Sequence, residues 1–455
     1  MRAAVPCRIQ DFERLARGEV QGRGPGLQTG AGYKCMSAVK NVSAYRWVIV
    51  ACAFLVLFIS QGMTLGGLQV FDERLIAHLS KNAGADISIG AFKGGLSIMF
   101  ATAGILGMAA GWLCDRIGAK KLLLAGLALL AVGNFMYSSV ETLTDVYVIS
   151  ALLGLVLVLC GLMINIYLVS GWFTKKRGMA IGIVLAGTSL GNAVFPKLNG
   201  MLLGMAEWQE VFRWIAWIPV LALPLLFIFL KDSPSLDSGD DSAGPSELPK
   251  LSGYSLKQAL LSRNFWALSV IAMCTFYSIL AMSGHTYLFF RGEGYAEAEA
   301  GTAVSIIFLG GLIGKLLSGY LAERFGRKRV LIIGLFMMLG GIVTMLGAMF
   351  SKSPLLVWFG LVLFGFGWGG IYTLIQVLAA DLFGMLALGK ILGAINVLDT
   401  FGGAMGPVAT GIMVDRTGAY VQPFIVITCL LVVATIAASV LDMAKGVYQE
   451  FDPDA

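Results

Sequence analysis

The chain has 455 residues, of which 57% are hydrophobic and only 13% charged, about half the ~25% usual in soluble domains. Mean hydropathy is +0.81 and the formal net charge is +6. So little charge cannot cover a soluble globule of this size, which excludes an ordinary cytosolic enzyme, a disordered protein and a nucleic-acid binder. The seven cysteines show no metal-ligand spacing and sit mostly in apolar runs, and two histidines make a histidine-based metal site unexpected. No metal, cofactor or catalytic residue is expected.

In chain order, residues 1–45 hold no long apolar run and no cleavable signal pattern. The Gly- and Arg-rich stretch 1–35 reads as disordered, and Met36 is as sensible a start as Met1. A helix needs ~20 apolar residues to cross ~30 Å of hydrocarbon. Runs free of Asp, Glu, Lys and Arg occupy 47–71, 94–114, 122–140, 146–174, 178–196, 214–230, 264–290, 330–351, 353–380 and 417–441. Two more apolar stretches each hold one internal charge: 300–322 with Lys315, and 391–414 with Asp399. Twelve transmembrane helices follow, because backbone polar groups find no water in lipid and no period-2 alternation supports a barrel. The expected units are a disordered cytoplasmic segment 1–45, a six-helix bundle 46–231, a Ser/Asp/Gly/Pro-rich linker 232–262, a second six-helix bundle 263–443 and a tail 444–455.

With the N-terminus inside, 24 of the 33 Lys and Arg residues fall in inner segments and six in outer loops. Both termini are therefore expected in the cytoplasm, and the chain in the cell (inner) membrane as a multi-pass protein. Arg74 and Arg291 are among the outer-loop residues. Most tryptophans fall near span ends; Trp368 lies deep in the tenth helix.

The halves repeat each other. Gly111, Asp115, Arg116, Gly118 and Lys120 follow the second helix, and Gly319, Glu323, Arg324, Gly326 and Lys328 follow the eighth, each offset by 208. Gly182, Gly191 and Pro196 recur as Gly393, Gly402 and Pro407 at offset 211. Matched segments in the same order argue for a six-plus-six duplication. The pattern Gly-x-x-x-Asp-Arg-x-Gly-x-Lys-Lys resembles the signature loop between helices 2 and 3 of the major facilitator superfamily, and its copy after helix 8 is expected of that family. The resemblance spans residues 45–443. It implies an all-α membrane protein of two pseudo-symmetric six-helix bundles that transports by alternating access. It makes Gly111, Asp115, Arg116, Gly118, Lys120, Gly319, Glu323, Arg324 and Gly326 gating residues that latch the cytoplasmic side in one state. The bare physical alternative is a positive-inside anchor.

Residues 171–191, with Trp172-Phe173, Lys176-Arg177, Gly182, Gly187 and Gly191 ahead of Pro196, are similar to the helix 4–5 region of the monocarboxylate and oxalate/formate antiporter branch. The first helix departs from animal monocarboxylate transporters, carrying Gln61-Gly-Met-Thr64-Leu-Gly-Gly67 where they have an acidic-Gly-Gly-Trp segment. The branch implies a small organic anion as substrate, moved by proton symport or anion exchange. A proton-coupled drug or neutral-solute carrier is the alternative, and a membrane-embedded enzyme would need a polar catalytic cluster that the sequence does not offer.

Intramembrane charges are costly and need a reason. Lys315 and Asp399 lie at similar depths, and their first-half counterparts, Gly107 and Thr188, are neutral. In the carboxylate-transporting branch helix 8 carries a cation near this position, so Lys315 is implied to bind the substrate. The two charges are expected to face each other across the gap between helices 8 and 11, either as a structural ion pair or as a coupling pair. In the latter, an incoming carboxylate displaces Asp399 and protonation of Asp399 removes the penalty. Lys93 and Lys197, at outer span ends, either snorkel to water or capture anions. His285 either relays protons or is a hydrogen-bonded interior histidine. The family lines its cavity with helices 1, 4, 7 and 10. There Gln61, Asn165, Tyr167, Tyr277, Trp368, Tyr372 and Gln376 are candidates, with Asn396 on helix 11 beside Asp399. Partners are the small organic anion, protons and the bilayer; a monomer suffices.

Overall fold

The computed structural model describes residues 31–107, 109–173, 177–232, 253–384 and 386–443, and of residues 31–44, Gly111, Asp115 and Arg177 only the backbone. Twelve helices are long and apolar enough to cross a membrane. They are α1 (Tyr45–Ala83), α2 (Ile89–Gly107), α3 (Ala119–Tyr137), α4 (Leu143–Trp172), α5 (Gly178–Leu203), α6 (Trp208–Phe229), α7 (Arg263–Gly292), α8 (Glu297–Phe325), α9 (Arg327–Ser351), α10 (Pro354–Phe383), α11 (Leu388–Thr417) and α12 (Val421–Val440). An even number of spans puts the start of α1 and the end of α12 on one face, here the terminal face.

Inside the first half α1 packs on α5, α2 on α4, and α3 on α4 and α6. Inside the second, α7 packs on α11 and α12, α8 on α10, and α9 on α10 and α12. The two most extensive packing contacts between the halves are α2 with α11 and α5 with α8. Close approach there depends on small residues: a Cβ on Gly411 of α11 would fall 2.6 Å from the Cα of Gly90 in α2.

The duplication read from the loop motifs is written into the backbone. Gly118 and Gly326 occupy the same left-handed turn, with φ +89° and ψ 146° and 138°, a conformation that disfavours any side chain. Lys120 then donates through Nζ to the carbonyl of Phe227 (2.8 Å) at the end of α6, and Lys328 to those of Ser439 and Leu441 (2.9 and 2.6 Å) at the end of α12. Each ammonium meets the negative end of the last helix of its half. Helices α4 and α10 are both interrupted, α4 at Cys160–Gly161 and α10 at Gly370. Gly161 and Gly370 are 209 residues apart, inside the offset range of the repeat.

Three expectations are revised. Helix begins at Ala31, inside the segment read as disordered; residues 1–30 lie outside the described residues. Helical structure also does not stop at Phe71. A π-helical turn (Gly62–Gly66) and a 3-10 turn (Leu68–Phe71) carry α1 into a further helix, Asp72–Ala83, where an outer loop was expected. The turns form because glycines at 62, 66 and 67 let α5 press in, and Asn192 and Asn199 of α5 take up freed backbone groups. Asn192 Oδ1 accepts from Gly66 N (2.7 Å), and Asn199 Nδ2 donates to Gly67 O (2.9 Å). Of the linker, residues 233–252 lie outside the described residues, while its end is ordered: Leu256–Leu260 is helical with a Ser255–Gln258 capping box, and Tyr254 N donates to Phe383 O (2.8 Å).

A cleft between the halves and the contacts that close its far end

The polar contacts that fasten the halves together lie toward the face opposite the termini. The helix Asp72–Ala83 starts with three charged residues, and each has a different partner. Asp72 forms a buried ion pair with Lys93 of α2. Glu73 accepts from Arg291 of α7, through Nε at 2.6 Å and Nη2 at 3.2 Å. Arg74 Nη2 donates to both carboxylate oxygens of Glu297, each at 3.0 Å, and to the carbonyl of Leu203 at 3.2 Å. The last two pairs cross in sign, acid to base and base to acid, from first half to second. Beside them the carboxylate of Asp415, on α11, accepts from the first backbone amides of α2, Ile89 N and Gly90 N, at 2.8 Å each. An anion at a helix N-terminus meets unpaired N–H groups and the positive end of the dipole. Sequence reasoning placed Arg74 and Arg291 only as topology markers and gave Glu73, Glu297 and Asp415 no role. Their short sequence distance from span ends was a signal; their partners lie about 200 or more residues away and were not.

This arrangement also settles Lys93. It does not snorkel: its side chain is 3% exposed, because α1 continues past Phe71 and brings Asp72 over it. Lys197 is exposed, as snorkelling requires. His285 is an interior histidine, with Nε2 2.8 Å from Pro407 O and Nδ1 3.2 Å from the Tyr420 hydroxyl. Both ring nitrogens are thus engaged.

Toward the terminal face the halves separate: a Cβ on Gly107 or Gly182 of the first half, or on Gly389 or Gly393 of the second, would meet nothing within 4 Å. Lys315 lies ten residues before Phe325, and Asp399 eleven residues after Leu388, ~15 and ~16 Å in at 1.5 Å per residue. The depths match, as expected, but the pair does not form: among the described residues neither charge has an oppositely charged group within 4 Å. The reason is packing. Helix α8 is held by α5 and α10, and α11 by α2 and α7, so the two are not packed on each other. Lys315 is half-buried beside the break in α10, where a Cβ on Gly369 would fall 2.1 Å from Gly311 O and 2.8 Å from Lys315 N.

Asp399 has company of another kind. Tyr372 and Gln376 lie one turn apart on the lower segment of α10 (Ile371–Phe383), which packs on α11, where Asn396 and Asp399 lie one turn apart, and the Tyr372 hydroxyl interacts electrostatically with the Asp399 carboxylate. Tyr372 is 40% exposed, Gln376 and Asn396 are exposed, and Asp399 is buried. The structure therefore assembles Tyr372, Gln376, Asn396 and Asp399 into one polar corner. Gln61 is half-buried at the junction of the α- and π-helical parts of α1, and Tyr167 and Tyr277 are half-buried.

Two candidates are committed elsewhere. Asn165 is fully buried, its Nδ2 donating to Cys160 O and Gly161 O (2.9 Å each), so it mends the break in α4 and does not face a cavity. Trp368 packs on Gly311, stands edge-on to Phe308, and donates from Nε1 to Ile307 O (3.2 Å); it locks α10 onto α8. Of the residues expected to gate, Arg116 is exposed over the Trp112 ring at 5.3 Å, while Glu323 and Arg324 are exposed with no ion pair among the described residues. Of Gly111 and Asp115 only the backbone is described. The acid that does pair near the second loop is Asp381 of α10, with Arg327. Among the described residues no cluster of His, Cys, Asp and Glu could hold a metal.

Comparison with known proteins places this architecture. The family model described as Major Facilitator Superfamily matches residues 50–296 and 290–450. Monocarboxylate transporter 12 of Rattus norvegicus is 22% identical over 435 residues, covering 90% of this chain and 88% of that protein. The cis,cis-muconate transport protein of Acinetobacter baylyi is 24% identical over 394 residues, covering 82% and 89%. The solved structure of a bacterial homologue of the human lysosomal transporter Spinster superposes with a TM-score of 0.68 at 14% identity, covering 91% of this chain and 99% of that one. The twelve spans, the repeated loop and the matched family model agree: the chain is a multi-pass membrane transporter and belongs to the Major Facilitator Superfamily.

Proposed function

We propose that the protein carries small organic anions, monocarboxylates among them, by alternating access, binding the carboxylate at Lys315. The observation that carries this reading is a half-buried cation, far from either face, that has no carboxylate partner among the described residues. The helix 4–5 resemblance to the monocarboxylate and oxalate/formate branch supports it, as do relatives named for monocarboxylates and cis,cis-muconate. The excess of basic residues on the terminal face supports a cytoplasmic position for both termini. On that orientation the conformation is closed outside and open inside. The Asp115/Arg116 loop and its Glu323/Arg324 copy would then meet partners across the halves when the cytoplasmic side closes. Coupling is by proton symport or by exchange against a second anion. Asp399, on the far wall of the cleft, is balanced in the transport cycle by a proton or by a positive group of the solute.

The test is uptake of radiolabelled carboxylates into proteoliposomes, with and without an inward proton gradient. A charge-assisted hydrogen bond is worth about 1.5–3 kcal/mol, so Lys315→Gln should lose roughly 10- to 100-fold in apparent affinity while Lys315→Arg keeps part of it. Neutral sugars or cationic drugs carried equally well by wild type and both variants would replace this reading with a carrier for uncharged or cationic solutes.

A further inference from the structure

Lys315 and Asp399 are both far from either face, at matching depth, and lack an oppositely charged partner among the described residues. Such charges in a membrane-spanning bundle pair with one another or with the solute they handle. This chain pairs charges readily elsewhere: Asp72 holds Lys93, Glu73 holds Arg291 and Arg74 holds Glu297. In the cleft it leaves one cation on α8 and one anion on α11 apart, on helices braced by different neighbours. The two ends also differ in what surrounds them. The Lys315 ammonium has no ion-pair partner among the described residues. Asp399 sits with the exposed phenol ring of Tyr372 and the side chains of Gln376 and Asn396. A carboxylate with an aromatic face and amide oxygens suits a positively charged group.

We propose that the solute is dipolar, an amino-carboxylate whose carboxylate meets Lys315 and whose ammonium meets Asp399 and Tyr372. The inference rests on the reading of Lys315 as the carboxylate site and adds the second pole. It follows from charge balance. A zwitterion leaves each of the two protein charges paired and the site neutral. A plain monocarboxylate pairs Lys315 and leaves Asp399 alone; a plain amine does the reverse. The gap between the poles makes chain length a determinant of affinity.

A homologous series of ω-amino acids, from β-alanine through 4-aminobutyrate to 6-aminohexanoate and beyond, measures that gap. Uptake into proteoliposomes is compared with straight-chain monocarboxylates of the same length. One amino acid length should be preferred over its amine-free counterpart by about tenfold or more, the equivalent of one charge-assisted hydrogen bond. Asp399→Asn should erase the difference between the two series. Asp399→Glu, which keeps the charge and extends the side chain by one methylene, should move the optimum to a shorter amino acid. Wild-type protein with no preference at any length overturns the proposal, as does a preference unchanged in Asp399→Asn and Asp399→Glu. In that case, loss of the response to a proton gradient in Asp399→Asn assigns Asp399 to the proton instead. Wild type that takes up neither series overturns the carboxylate reading and this inference with it. Monocarboxylate uptake without an amino acid preference overturns this inference alone.

Discussion

A side chain that spends its polar atoms on backbone cannot also spend them on a solute. Trp368 shows the distinction. Its indole N–H is bonded to Ile307 O and its ring covers Gly311. Trp368→Phe should therefore cost about 1 kcal/mol of stability for the lost hydrogen bond and leave the KM for the transported acid within about twofold. Thermal unfolding in detergent and uptake kinetics separate the two effects; a large rise in KM without a change in Tm would put Trp368 back in the binding site. Asn165 commits its Nδ2 in the same way, to Cys160 O and Gly161 O, on a fully buried side chain. Neither commitment is legible from sequence, because a polar residue on a cavity-lining helix looks the same whether it faces the cavity or mends the helix that lines it. Lys315 and Asp399 were singled out by the free energy of leaving them in lipid, and their depth match held. Their pairing did not hold, since it depended on which helices pack together, and hydropathy carries no such information.

Helices α4 and α10 are built as two segments each, and the breaks fall at repeat-equivalent glycines. In α10 the break serves contact with α8. The backbone of Gly369 lies against Gly311 O, and Gly370 against Ser318. Gly369→Ala would place a methyl 2.1 Å from a carbonyl oxygen that belongs to a helix backbone. The helices must part, at a cost of about 1–3 kcal/mol, and Lys315, one turn from the contact, should shift with them. A lower Tm together with a lower turnover is expected. Gly347→Ala in α9 is the control, because nothing lies within 4 Å of its Cβ and the change should be neutral or stabilising by about 0.5–1 kcal/mol. Equal effects at both positions would mean that the α8–α10 contact is not special. The sequence announced twelve helices and their duplication through charge-free runs and a repeated loop. It hid the helical turn after Phe71, because Asp72, Glu73 and Arg74 read as a loop until their partners on α2, α7 and α8 are known.

For the whole molecule, the crossed pairs Glu73–Arg291 and Arg74–Glu297 close one face, and Asp415 adds a carboxylate cap from the second half onto α2 of the first. The acid and base of each pair are between 27% and 42% exposed, so each pair is worth only about 0.2–1 kcal/mol. That is a useful magnitude for a gate that must open in every cycle. Arg291→Gln should shift the balance toward the opposite-face-open state by up to about fivefold, the equivalent of 1 kcal/mol. A cysteine placed at Tyr372 should then react more slowly with a water-soluble maleimide. Exchanging the charges, Glu73→Arg with Arg291→Glu, should restore the original rate. If the single change and the exchange leave labelling untouched, the pairs are decoration on an interface held by α2–α11 and α5–α8 packing. The buried Asp72–Lys93 pair lies within one half and should move with it as a unit through either state.

The cysteines make that labelling practicable. Cys52, Cys114, Cys160 and Cys274 are buried, and Cys429, the exposed one among those described, lies in the middle of α12. A thiol there borders acyl chains, where membrane-impermeant reagents do not reach it. Once Cys7 and Cys35, whose side chains lie outside the described residues, are replaced, a single engineered cysteine can report on one face of the bilayer in an otherwise unaltered core.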